Sequence, residues 1–152
     1  LENLFKQRSD QLACVLLEPI IGNAGSIAAT PAWLQRLRDL CDQNGTLLLI
    51  DEVKSGFRVA KGGAQSLYGI YADLTTYAKA MGNGYPVAAF GGRAAVMDVI
   101  GSNKGAVVHG GTYTANPAAT PPNKSPSTWG VSGNAALSAC RSGRRADEPP
   151  VR

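Results

Sequence analysis

Thr46-Leu47-Leu48-Leu49-Ile50-Asp51-Glu52-Val53 reads as a short apolar strand that ends in two carboxylates. An unbroken Leu/Ile run, without polar alternation, is the pattern of a strand buried on both faces of a parallel sheet. Upstream, Ala13-Cys14-Val15-Leu16-Leu17 repeats the pattern, and Glu18-Pro19 ends it. A helix is expected between the two runs. Thr30-Pro31 offers an N-cap followed by proline at the first helical position. Leu34, Leu37, Leu40 and Cys41 recur at helical spacing, and Asn44-Gly45 supplies the stop. Strand, helix and strand make one βαβ unit, which requires a parallel sheet and an α/β fold.

The reading extends outward from this unit. Residues 20–29 read as a glycine-containing loop. Residues 57–71 read as loop with one short helix, centred on Ala64-Gln65-Ser66-Leu67-Tyr68. Residues 74–78 and 87–92 read as a third and a fourth short strand, and residues 93–100 as the start of another helix. Residues 101–111 are glycine-rich, with Ala106-Val107-Val108 a candidate short strand. Beyond residue 119 the composition changes. Five of the nine prolines fall there (Pro121, Pro122, Pro126, Pro149 and Pro150), and the large aliphatic residues shrink to Val131, Leu137 and Val151. Such a stretch buries too little apolar surface to offset its ordering entropy. Residues 120–152 are therefore expected to be a disordered tail, and residues 1–119 the folded part.

The chain has 152 residues, 44% of them hydrophobic, which suits one globular domain. It begins at Leu1 rather than Met and is expected to be a fragment. No apolar run approaches the roughly 20 residues a membrane helix needs, and no basic-then-apolar leader opens it, so no membrane partner is expected. The three cysteines, Cys14, Cys41 and Cys140, are widely spaced, and His109 is the single histidine. That excludes the common zinc patterns and points to reduced thiols in a cytoplasmic compartment. Cys14 and Cys41 are expected to be packing residues. The net charge of +4 does not mark a nucleic-acid binder. Residues 1–120 hold ten basic and nine acidic side chains, whereas residues 121–152 hold five and two, so most of the excess lies in the tail.

Asp51 gains meaning beside Lys79, a lysine in Thr75-Thr76-Tyr77-Ala78-Lys79-Ala80-Met81-Gly82-Asn83-Gly84. Pyridoxal phosphate needs both groups. An amine holds its aldehyde as a Schiff base, and a carboxylate keeps its ring nitrogen protonated so that the ring draws off electrons. A solvated turn lysine and an ordinary acidic strand end would give the same two residues, so the pair needs its surroundings.

Four stretches supply them. Glu18-Pro19-Ile20-Ile21-Gly22-Asn23-Ala24-Gly25, Ile50-Asp51-Glu52-Val53-Lys54-Ser55-Gly56-Phe57-Arg58, Thr76-Tyr77-Ala78-Lys79-Ala80-Met81-Gly82-Asn83-Gly84-Tyr85-Pro86 and Gly111-Thr112-Tyr113-Thr114-Ala115-Asn116-Pro117 occur in this order. Together they resemble the central part of the class-III aminotransferases, which are fold-type-I pyridoxal-phosphate enzymes. The likeness runs from about residue 10 to residue 119. Gly22-Asn23, the residues 57–65 and Ala89-Phe90-Gly91-Gly92-Arg93 resemble the glutamate-1-semialdehyde aminomutase branch. Many other members carry a glutamate where Asn23 stands, paired with a substrate-binding arginine. Lys54 and Tyr85 have no clear counterpart in that branch, which leaves transaminase and aminomutase both open.

The resemblance implies a partial large domain with a mostly parallel sheet and flanking helices. It implies that Asp51 pairs with the ring nitrogen and that Val53, two residues on, packs against the ring, a role compatible with its being a plain core valine. Lys79 would form the Schiff base and then move a proton between substrate and cofactor, a task for which burial suits a lysine. Thr112 would donate to the cofactor phosphate across a homodimer interface, unless it is only a turn threonine. Arg58 could bind a substrate carboxylate or make a surface ion pair. His109 could reach substrate or be an ordinary loop residue, and Glu18 is expected to be structural. The substrate would be an amino acid or amino aldehyde. The loop that cradles the phosphate, the aromatic residue that stacks on the ring and a small C-terminal domain are expected to lie outside these residues. The alternative is a non-enzymatic truncated remnant of such an enzyme.

Overall fold

The computed structural model describes residues 1–100 and residue 107. Its helices are α1 (Glu2–Arg8), α2 (Pro31–Asn44), α3 (Gly63–Tyr68) and α4 (Ala94–Met97). Its strands are β1 (Cys14–Leu17), β2 (Ile20–Ile21), β3 (Ile27–Ala28), β4 (Leu47–Asp51), β5 (Leu74–Tyr77) and β6 (Ala89–Gly92). One sheet runs in the order β1-β4-β5-β6. β1, β4 and β5 are parallel, and β6 is antiparallel to β5. This is the mixed, mostly parallel α/β arrangement expected from the sequence.

Helix α2 forms where its caps place it. Thr30 Oγ1 accepts from the Trp33 amide at 3.3 Å, Pro31 opens the helix, and Gly45 closes it at φ 66°. That left-handed cap suits a residue without a Cβ. The buried residues of α2 are the four with helical spacing, Leu34, Leu37, Leu40 and Cys41. They pack on Leu48 and Ile50 of β4, with Phe5 of α1 and Ile70 completing the core. Burial pushes the Cys41 thiol up to about 11, so it is an inert packing residue near neutral pH.

The sheet has two unlike faces. Strand alternation sends Val15, Leu17, Leu48 and Ile50 towards α2. The opposite face carries Leu16, Leu49 and Leu74 in adjacent registers, and Leu16 is 64% exposed. The expectation that the first strand is buried on both faces is therefore corrected. β1 lies at an edge of the sheet, and the described residues cover only one of its faces. Cys14 shares the open face and is exposed rather than packed.

Three further expectations change. Residues 20–29 are not only loop, because β2 and β3 pair as a two-residue antiparallel ladder. The helix expected over 93–100 stops at Met97, because Ile100 bridges to Val107 and the Val107 amide donates to Val99 at 3.0 Å. No element was expected before residue 13, yet α1 forms there and buries Phe5. The candidate strand at 106–108 is described only at Val107, and the tail of residues 120–152 lies outside the described residues.

Candidate functional site

The site is set by how the strand end divides two adjacent carboxylates. The ladder between β4 and β5 continues one step past Asp51, with the Glu52 amide donating to the Thr76 carbonyl at 3.0 Å. Alternation then directs Asp51 and Glu52 to opposite faces. Glu52 turns into the helix layer and is fully buried. Its carboxylate accepts from the Ala64 amide at 3.0 Å, the Gln65 amide at 2.8 Å and the Ser55 hydroxyl. It thereby caps α3 and closes the turns between β4 and that helix. Gly63 stands at φ 70°, and a Cβ there would come within 2.6 Å of the carboxylate. The sequence reading singled out only Asp51 of the pair. Gly62-Gly63 ahead of a short helix was the available signal for its neighbour.

Replacing Glu52 with alanine orphans two buried amides and a hydroxyl. At about 1–3 kcal/mol for each unsatisfied buried donor, a stability loss of a few kcal/mol is expected. Hydrogen exchange at the Ala64 and Gln65 amides should accelerate with it. Unchanged exchange at those amides would remove Glu52 from this role.

Asp51 takes the other direction. It is half-buried at the C-terminal end of β4, opposite Thr76 in register. Its Oδ1 accepts from the Val53 amide at 2.8 Å and from Thr76 Oγ1 at 3.2 Å. Among the described residues nothing donates to Oδ2, and no cation pairs with Asp51. Two donors thus fix the carboxylate while one oxygen stays available to a cationic ligand. β4 ends at Asp51, so Val53 stands in the following turn, half-buried, rather than further along a strand.

Lys79 begins a short 3-10 turn, residues 79–81, directly after β5 and Ala78. Thr76, on the same strand, bonds Asp51, so strand pairing joins the two expected cofactor groups through adjacent parallel strands. Lys79 has φ 48°, an uncommon backbone conformation for a residue with a Cβ. Its side chain is exposed, and among the described residues it has no ion-pair partner. The burial expected for this amine is therefore not supplied by the described residues. Both strand ends open at the carboxyl edge of the parallel strands, where open α/β sheets hold ligands.

The surrounding turns carry the other candidates. Glu18 Oε2, just past β1, accepts from the Gly22 amide at 3.1 Å and so holds the start of the turn between β2 and β3. Lys54 Nζ donates to Asn23 Oδ1, a contact the sequence reading did not anticipate. Phe57 packs on Tyr77 in a tilted arrangement, with ring centroids 5.6 Å apart and 51° between the ring planes. Arg58 is exposed, and its amide donates to the Ser55 carbonyl at 3.1 Å. Thr112 and His109 lie outside the described residues. Among the described residues no cluster of His, Cys, Asp and Glu is placed to hold a metal, and no helix is long and apolar enough to cross a membrane.

Comparison with known proteins gives a consistent picture. The family model described as aminotransferase class-III matches residues 1–121. Glutamate-1-semialdehyde 2,1-aminomutase of Herminiimonas arsenicoxydans is 50% identical over 117 residues, covering 77% of this chain and 27% of that protein. The same-named protein of Neisseria gonorrhoeae is 50% identical over 119 residues, covering 78% of this chain and 28% of that one. Among solved structures, an omega-transaminase from Sphaerobacter thermophilus superposes with a TM-score of 0.70 at 44% identity, over 78% of this chain and 27% of that chain. A structure named "Transaminase with PLP bound" gives 0.71 at 38% identity, over 78% and 28%. The chain thus spans about a quarter of the length of the relatives it matches.

Proposed function

The chain belongs to the class-III aminotransferase family, and from that membership we propose that it forms the cofactor-bearing core of a pyridoxal-phosphate-dependent aminotransferase or aminomutase. The observation that carries this reading is the pairing of β4 with β5. It brings Asp51, a carboxylate with one oxygen uncommitted among the described residues, and Lys79, a lysine with no ion pair among them, to the same end of two adjacent parallel strands. Those are the two groups the cofactor requires, so the residues present fit it. A solved relative named as having PLP bound supports the choice of cofactor.

When bound, pyridoxal phosphate supplies a reactive aldehyde and a ring that draws off electrons. The protein's own residues divide the remaining work. Lys79 would provide the amine that holds the aldehyde and would hold and move a proton at the substrate carbon. Asp51 keeps the ring nitrogen protonated, since a carboxylate beside a cation favours the charged form of both. Thr76 and the Val53 amide hold Asp51 in one orientation. Val53 would pack against the ring, and Thr112 would donate to the phosphate from the neighbouring subunit of a homodimer. The substrate is an amino acid or amino aldehyde, and the aminomutase names of the curated relatives support the latter. Activity, substrate and dimer are those of the whole protein.

An absorbance titration tests the reading. The protein, expressed from its whole reading frame, is mixed with pyridoxal phosphate. A new saturable band near the edge of the visible is expected, absent from Lys79→Ala. A band of equal size in that variant would sink the assignment of Lys79.

A further inference from the structure

We propose that Lys54, oriented by Asn23, is the cation that receives the carboxylate of the substrate. This deepens the function proposed above and rests on it.

Lys54 lies in the turn that follows β4. That turn is tied to Asp51, because the amide of the preceding residue, Val53, donates to Asp51 Oδ1 at 2.8 Å. The Lys54 side chain is half-buried and crosses to the turn between β2 and β3, where its ammonium donates to Asn23 Oδ1. Its stem runs over Gly22, and a Cβ at that position would collide with Lys54 Cδ. The Gly22 amide is in turn held by Glu18. Glu18, Gly22 and Asn23 thus shape a track that fixes one lysine beside the Asp51 end of the sheet.

The identity of the partner is what makes this informative. An amide oxygen orients an ammonium without neutralising it. Among the described residues no carboxylate forms an ion pair with Lys54, whereas Arg36 and Arg93 each have one and Arg38 has two. A lysine side chain loses about 2 kcal/mol of rotamer freedom when fixed. Ordering one without a counter-charge leaves a positioned charge with two donors free, which suits an incoming carboxylate. Asn23 is the neutral residue that permits this. An acid at that position would occupy the ammonium itself.

The ligand class is therefore a small carboxylate-bearing molecule whose reacting carbon lies towards Lys79. The test uses 4-oxopentanoate, a keto acid without an amine, and its uncharged methyl ester. Each is titrated by calorimetry into the pyridoxal-phosphate form of the whole protein, in the wild type, Lys54→Met, Lys54→Arg and Asn23→Ala. The wild type should bind the acid more tightly than the ester. Lys54→Met should cut that preference about tenfold, the usual scale of a charge-assisted hydrogen bond, with ester affinity unchanged. Lys54→Arg should recover most of it, and Asn23→Ala should lose part of it. A wild-type preference retained in Lys54→Met, or absent from the wild type, would overturn the proposal. Borohydride reduction and peptide mapping of the same samples separate the two readings. Label on Lys79 in every variant shows an intact cofactor site, so an unchanged preference then counts against Lys54 alone. Wild type without label on Lys79 defeats the cofactor reading and this one with it.

Discussion

Asp73→Asn is expected to lower the unfolding free energy by about 3–5 kcal/mol, the usual consequence of breaking a buried ion pair on one side. The Asp73 side chain is 2% exposed and bonds three separate parts of the fold. Its Oδ2 accepts from the Leu48 amide of β4 at 2.8 Å and from Arg38 of α2 at 2.9 Å. Its Oδ1 accepts from Arg93, at the end of β6, at 2.8 Å. The substitution leaves the shape almost unchanged but removes the counter-charge of two partly buried guanidinium groups, of which Arg38 keeps Asp42 at 2.8 Å while Arg93 is left without a carboxylate among the described residues. Gly92 shows how tightly this corner is built, since a Cβ there would collide with the Asp73 carbonyl oxygen.

The same node sets a pH dependence. Burial opposes ionisation of Asp73, but the Leu48 amide, Arg93 and Arg38 outweigh it and hold the carboxyl below its ordinary value. A carboxyl depressed by folding contributes stability that is fully present above its unfolded pKa. That stability is lost as pH falls through the lower, folded value. Urea unfolding of the wild type should therefore weaken below about pH 4. The asparagine variant should be weaker near neutrality and should lack this component of the acid slope. Superimposable stability curves for the two proteins would refute the role of Asp73.

Asp51→Asn is the second large effect, and it acts on the cofactor rather than the fold. Asparagine retains an oxygen for the Val53 amide and the Thr76 hydroxyl, so the turn should persist. What it removes is the negative charge. An adjacent carboxylate raises the pKa of a cationic partner by about 1–3 units. At a pH where the free ring nitrogen is unprotonated, its loss should weaken pyridoxal-phosphate retention by about tenfold to a thousandfold. Equilibrium dialysis measures that directly, apart from turnover. Equal retention by both proteins would show that Asp51 does not meet the ring nitrogen.

The sequence exposed those features that rest on local rules. Thr30-Pro31 and Gly45 fixed the ends of α2, and the spacing of Leu34, Leu37, Leu40 and Cys41 named its buried face. The apolar runs identified β1 and β4 and their parallel pairing. What stayed hidden depends on distant partners. Nothing local marks Phe5 as core, because its burial comes from α2 packing over α1. A run such as Ala13-Cys14-Val15-Leu16-Leu17 gives no sign that one face will lack cover, so Cys14 and Leu16 were misread as interior. Asp51 was legible as a candidate from chemistry and family motif. The different task of Glu52 emerges only once alternation turns it into the helix layer. Lys54 and Asn23 are 31 residues apart, and only the fold brings the two turns together.

Whether Lys79 is the lysine that holds the cofactor can be read from a single labelling experiment. The protein, expressed from its whole reading frame, is incubated with pyridoxal phosphate, reduced with borohydride, digested and mapped by mass spectrometry. One dominant modified peptide is expected, with the label on Lys79. Label spread over Lys54 and surface lysines such as Lys6 and Lys61, or concentrated on one of these with Lys79 unmodified, would overturn that assignment.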